Sequence, residues 1–251
     1  MAELEREMVD VGGRQTAYFT GGEGAPLVFL HGGGIVEGVG CFRPLADHFR
    51  FIAPQMPGFD ATELRPPVQS IDELIEHTIG LLDEIGLGRF ALVGHSLGGW
   101  VAASLASAHP QRVSSLVIAA PYGLDAPLAN AREMGRDELY DALTNDPSIF
   151  EGLVPDGEDA EFDQARALEG ASMGGFVPGP FDPVLPQKLA TLAMPLLLLW
   201  GEDDRIVPVA HLPLWREALP QAEVVTYPGV GHLLFWEHAP AVDAIAEFSS
   251  R

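Results

Sequence analysis

Three short stretches of this sequence set a reactive side chain or a run of free main-chain groups among glycines. The first is Gly94-His95-Ser96-Leu97-Gly98. A serine hydroxyl is a poor nucleophile at neutral pH and needs a histidine to take its proton, while a carboxylate fixes the histidine's tautomer. In the second, His31-Gly32-Gly33-Gly34, glycines let main-chain N–H groups turn toward a ligand with no Cβ in the way. The third, Pro228-Gly229-Val230-Gly231-His232, presents a histidine from a turn. Candidate carboxylates stand in Gly201-Glu202-Asp203-Asp204, and residue type alone does not choose among the three. Together these groups could transfer an acyl group to water through a serine.

Such chemistry requires secondary structure that brings distant segments together. The apolar run Phe90 to Val93 reads as a strand running straight into the serine turn, and Leu97 to Ala108 reads as the helix leaving it. That turn lifts Ser96 into a strained conformation, so positions two before and two after it must be nearly free of side chain. It also sets Ser96 at a helix N-terminus, where free N–H groups favour developing negative charge. Leu27 to Leu30 feeds the glycine run after His31, Leu196 to Trp200 feeds the three acids, and Val224 to Tyr227 feeds the His232 turn. Met8 to Val11, Gln15 to Thr20, Phe51 to Pro54 and Leu116 to Ala120 complete the predicted strands. Several are continuous Val, Leu, Ile and Phe runs, as in parallel strands buried on both faces. Ser70 to Ile85 reads as a helix with Ser70 as N-cap, Glu73 completing a capping box and Gly86 as its stop, and Ala239 to Phe248 reads as the last helix.

Among eight histidines, His232 lies after the last strand and before the last helix, where a side chain can reach over the strand ends. His48, His77 and His109 fall in or near helices, and His95 is expected to face the core. The regular alternation lapses from Tyr122 to Lys188, a stretch with 14 acidic and 4 basic residues. It is expected to form a lid of short helices, with Leu139, Leu143, Phe150, Leu153, Phe162, Met173 and Phe176 available to line a pocket and Met173 and Phe176 expected to contact substrate.

The succession His31 to Gly34, Gly94 to Gly99, Gly201 to Pro208 and Gly231-His232 resembles the α/β-hydrolase superfamily over nearly the whole chain outside 122–188. The resemblance implies a mostly parallel eight-stranded sheet flanked by helices, with 1–121 and 189–251 forming the core and 122–188 a helical lid. It implies Ser96 as nucleophile, His232 as base and an oxyanion hole from the N–H groups of Gly33 and Leu97, with His31 holding its loop through its ring. The family spacing of glycine, aspartate three residues on, an apolar pair and proline selects Asp204 as the acid, and Asp125, after the earlier strand, is the alternative. Such a triad needs no cofactor. A small carboxylic ester is the expected substrate. The glycine run after His31 also resembles the carbon–carbon hydrolases of aromatic ring-fission products, but those carry asparagine before the serine and tryptophan after the histidine, where this chain has His95 and Leu233. An acidic lid would also repel their anionic substrates. A ligand-binding receptor on the same fold is the reading from another class.

Composition narrows the partners. The 251 residues include 14 basic and 36 acidic ones, a net charge of −22, and Lys188 is the only lysine, so nucleic acid is expected to be repelled. Cys41 is the only cysteine, which excludes an internal disulfide, and it stands at no metal-ligand spacing from the histidines. Apolar runs such as Leu196 to Trp200 are too short for a membrane span, and Met1 to Asp10 is charged, so a cytoplasmic protein is expected.

Overall fold

The computed structural model describes residues 2–34, 38–127, 133–155, 157–177, 179 and 181–251. Eight strands, β1 (Glu5–Val11), β2 (Arg14–Gly21), β3 (Ala25–Leu30), β4 (Phe49–Pro54), β5 (Phe90–His95), β6 (Val113–Ala119), β7 (Leu196–Gly201) and β8 (Glu223–Tyr227), form one sheet in the order β1-β2-β4-β3-β5-β6-β7-β8. Only β2 runs against its neighbours.

The core strands carry long apolar runs because both faces are covered. Along β3, Val28 and Leu30 enter one core and Leu27 and Phe29 the other, and in β6 Leu116 and Ile118 oppose Val117 and Ala119. Helices α1 (Ile71–Glu84), α2 (Leu97–Ala108), α5 (Leu185–Leu189) and α6 (Leu212–Ala218) cover the first face. The second is covered by a 3-10 helix, Gly40–Asp47, and by α8 (Ala239–Ser249). Ser70 caps α1 by accepting from the Glu73 N–H at 3.1 Å. The expected return bond goes one residue further out, from the Gln69 N–H to the Glu73 carboxylate at 2.9 Å. Gly86 ends α1 in the left-handed conformation, φ +74°.

From β3 the chain crosses to β4 on one side, whereas β5 lies on the other, so the strand order reverses between β3 and β5. In open α/β sheets that reversal leaves a crevice at the strand C-terminal ends. Residues 122–188 connect β6 to β7 and contain α3 (Arg136–Leu143), a short 3-10 turn (Pro147–Phe150), α4 (Ala160–Phe176) and α5.

Candidate active site

Ser96 follows β5 and opens α2 with φ 55° and ψ −119°, a conformation that a non-glycine residue adopts at a cost. The surrounding backbone holds it there. The Ser96 N–H donates to the Ala119 carbonyl at 2.9 Å, and its own carbonyl accepts from the N–H groups of Gly99 at 3.0 Å and Tyr122 at 3.1 Å. A Cβ on Gly98 would strike the carbonyls of Leu30 and His31, so only glycine lets α2 approach β3 this closely. That approach places the glycine run after β3 beside the serine.

The His232 turn and the loop after β7 meet in the same way. His232 Nδ1 donates to Asp204 Oδ2 at 2.7 Å, and Asp204 Oδ1 accepts the N–H groups of Ile206 and Val207, both at 2.8 Å. His232 and Asp204 are buried. A carboxylate with all its bonds in place fixes the ring's tautomer and leaves Nε2 as the acceptor. Asp125 is exposed. Ser96, Leu97, Gly32 to Gly34 and His232 line one cavity of about 460 Å³. Among the described contacts Ser96 and His232 share this wall without a direct hydrogen bond, a link that in unliganded sites often tightens only when substrate binds. Among the described residues, neither the Gly33 nor the Leu97 N–H donates to a protein acceptor.

Two further histidines are structural and neutral. His31 accepts the Met56 N–H at Nε2 (3.0 Å) and donates from Nδ1 to the Gly32 carbonyl (2.8 Å), and burial lowers its pKa to about 4. His95 does not simply face the core. Its ring lies 4.7 Å from the His232 ring, tilted by 44°, and it donates from Nε2 to the His232 carbonyl at 2.9 Å. Burial, reinforced by His232, pushes its pKa well below the ordinary value. Position in the sequence gave no signal of this contact, which joins β5 to a loop 137 residues away.

Residues 122–188 supply much of the remaining cavity wall: Leu139, Leu143, Phe150, Phe162, Met173 and Val177, with Arg136, Asp163, Arg166 and Glu169 as charged members. On α4 the cavity stripe is Phe162, Arg166, Gly170, Met173 and Val177, at helical spacing. Met173 is therefore on the wall, and its Sδ lies 2.8 Å from where a Cβ on Gly33 would be. Phe176 is not. It belongs to the neighbouring stripe with Ser172 and is fully buried in the core. Leu153 is exposed and also off the wall. The acidity of the segment mostly faces water: of its 13 described acidic residues, 11 are exposed and only Glu169 is buried. Two arginines therefore balance two carboxylates in the cavity itself.

Glu237, at the end of α7 (Leu234–Glu237), joins this segment to the histidine turn. Its carboxylate accepts the Gly231 N–H on one oxygen, and on the other the Thr144 hydroxyl at 2.5 Å and the Asn145 N–H at 2.8 Å. Arg205, beside Asp204, donates to Asn145 Oδ1 at 2.7 Å and to the Thr144 carbonyl at 2.8 Å. Sequence reasoning missed both residues because their partners lie about 60 to 90 positions away.

A strained serine at a strand–helix turn thus shares one cavity with a histidine–aspartate pair and, among the described residues, with two main-chain N–H groups that donate to no protein acceptor. The chain belongs to the α/β-hydrolase family, whose sequence profile matches residues 27–245. It is similar to 2-hydroxymuconate semialdehyde hydrolase of Pseudomonas putida, at 30% identity over 98% of this chain and 93% of that one. Similarity extends to 2-hydroxy-6-oxo-6-phenylhexa-2,4-dienoate hydrolase of Burkholderia cepacia, at 28% identity over 89% and 87% of the two chains. A solved serine hydrolase involved in carbazole degradation superposes with a TM-score of 0.82, at 27% identity over 99% of each chain. Among the described residues no helix is long and apolar enough to cross a membrane.

Proposed function

We propose that this protein hydrolyses a carbon–carbon bond beside a ketone in a small unsaturated keto acid, with Ser96 as nucleophile, His232 as base and Asp204 as the group orienting His232. The observation that carries the choice of substrate is Arg166, a guanidinium on the wall of a largely apolar cavity that also holds Ser96. The dienoate in the name of one relative is an acid, and a carboxylate of that kind is matched by an arginine fork. The acidity that argued against such a substrate in the sequence lies mainly outside the cavity.

In this reading His232 Nε2 takes the Ser96 proton as Oγ attacks the ketone, and the Gly33 and Leu97 N–H groups receive the oxyanion. Each such donor contributes about 3 to 4 kcal/mol of transition-state stabilisation. Collapse breaks the carbon–carbon bond only if the departing carbon can delocalise its electron pair, which conjugation in an unsaturated keto acid allows. The proton on His232 passes to the departing fragment. Water, deprotonated by His232, then hydrolyses the acyl-serine and releases a carboxylic acid.

A neutral carboxylic ester is the second reading, favoured by the apolar Leu233 beside His232 and by the pairing of Arg166 with Glu169. The test is to assay ring-fission keto acids and 4-nitrophenyl esters on one preparation, with Ser96→Ala as control. The expected outcome is a higher kcat/KM on the keto acids, abolished in Ser96→Ala. Higher kcat/KM on the esters would replace the first reading with the second.

A further inference from the structure

The cavity already contains a carboxylate bound to its own arginine. Arg166 Nη1 lies 2.6 Å from Glu169 Oε2, and Nη2 donates to Oε1 at 2.6 Å, so the two side chains meet as a bidentate fork. Glu169 is 3% exposed, the one buried acid among the described residues of 122–188, and the Arg166 side chain is 30% exposed. Both line the cavity that holds Ser96.

Helix stability does not account for this pair. Arginine precedes glutamate on α4, the less favourable order against the helix dipole, and buried ion pairs are often no better than apolar residues of the same volume. The fork also leaves Arg166 incompletely satisfied. Both terminal nitrogens face Glu169, while Nε is buried with no hydrogen-bond partner among the described residues. A second carboxylate can reach the guanidinium only through the terminal nitrogens that Glu169 now holds, because Nε is buried.

We infer that Glu169 is a resident occupant of Arg166, which an incoming carboxylate must displace, and that it sets how strongly the cavity accepts anionic substrates. This rests on the reading that the substrate carries a carboxylate. Glu169 keeps the guanidinium charge compensated in the empty cavity and weakens anionic ligands relative to neutral ones of the same shape. It is a specificity residue; no step of the chemistry passes through it.

The test compares benzoate with benzamide, its neutral near-isostere, by calorimetric binding to the full-length protein, with Glu169→Gln and Arg166→Gln as variants. The ratio of the two Kd values cancels general changes in the cavity. Relative to the parent, benzoate should gain roughly tenfold or more over benzamide in Glu169→Gln, a change of about 1.4 kcal/mol. In Arg166→Gln, which removes the guanidinium and keeps the Glu169 carboxylate, benzoate should lose preference by a similar factor. Each variant tests the inference alone, so failure of one to fold leaves the other decisive. An unchanged ratio in a folded variant, or a shift in the opposite direction, overturns it. Because binding is measured without turnover, shifted ratios in a protein that cleaves no keto acid would sustain the role of Glu169 and remove the carbon–carbon reading.

Discussion

At the residue scale, the bonds around Asp204 determine what each oxygen can do. Oδ1 is committed to the N–H groups of Ile206 and Val207, so only Oδ2 faces His232. In Asp204→Asn the amide oxygen would keep those main-chain donors, and Nδ2 would point at His232 Nδ1. The ring would then accept at Nδ1 and carry its proton on Nε2, unable to take one from Ser96. The expected loss in kcat is roughly 10⁴-fold with little change in stability. Asp125→Asn, on an exposed side chain, should leave turnover near the parent value. Steady-state kinetics on both variants checks the assignment, and a crippled Asp125→Asn beside an active Asp204→Asn would reverse it.

At the element scale, the site is a convergence of β3, α2 and α4. Gly98 lets α2 abut the end of β3, and Gly33 leaves room for Met173 on α4. Gly98 faces backbone carbonyls that cannot give way, whereas Gly33 faces a thioether that can be removed. Gly33→Ala should therefore lower kcat/KM by roughly tenfold or more, because a displaced loop would misalign the N–H proposed as an oxyanion donor. Adding Met173→Ala should restore most of that loss. The double-mutant cycle measures this as strong non-additivity. Additive effects would mean that Met173 does not press on the loop. The Glu237 and Arg205 contacts act at the same scale, tying the end of α3 to the loops that carry His232 and Asp204.

For the whole molecule, acid stability follows from histidines buried neutral. Burial lowers His31 and His77 to about 4 from an ordinary 6.5, and His95 lies well below its ordinary value. Below about pH 6.5 the unfolded chain binds protons that these rings refuse when folded, so stability falls as pH drops from 6.5 toward 4. For His31 the full difference is on the order of 3 kcal/mol. The net charge of −22 works the other way, since repulsion relaxes as pH approaches the isoelectric point near 4.5. The expected result is a lower urea midpoint at pH 5 than at pH 7, with a shallower decline in His77→Gln. Equal declines in parent and variant would show that His77 does not contribute.

The sequence by itself determined the repeating strand–helix order, the strained serine turn and the loops carrying His232 and Asp204, because each is local: a hydrophobic period, a glycine at a fixed offset, a turn after a strand. It located Met173 on the cavity stripe but misplaced Phe176, three residues on, because helical phase relative to a distant core is set by packing. Only the tertiary structure set Asp204 against His232 and left Asp125 exposed, turned most of the described acidic residues of 122–188 outward and paired Arg166 with Glu169. It alone revealed that His95 holds the His232 carbonyl and that Glu237 bridges to Thr144 and Asn145. These depend on which side chains meet across long separations in the chain, and neither periodicity nor motif spacing encodes such meetings.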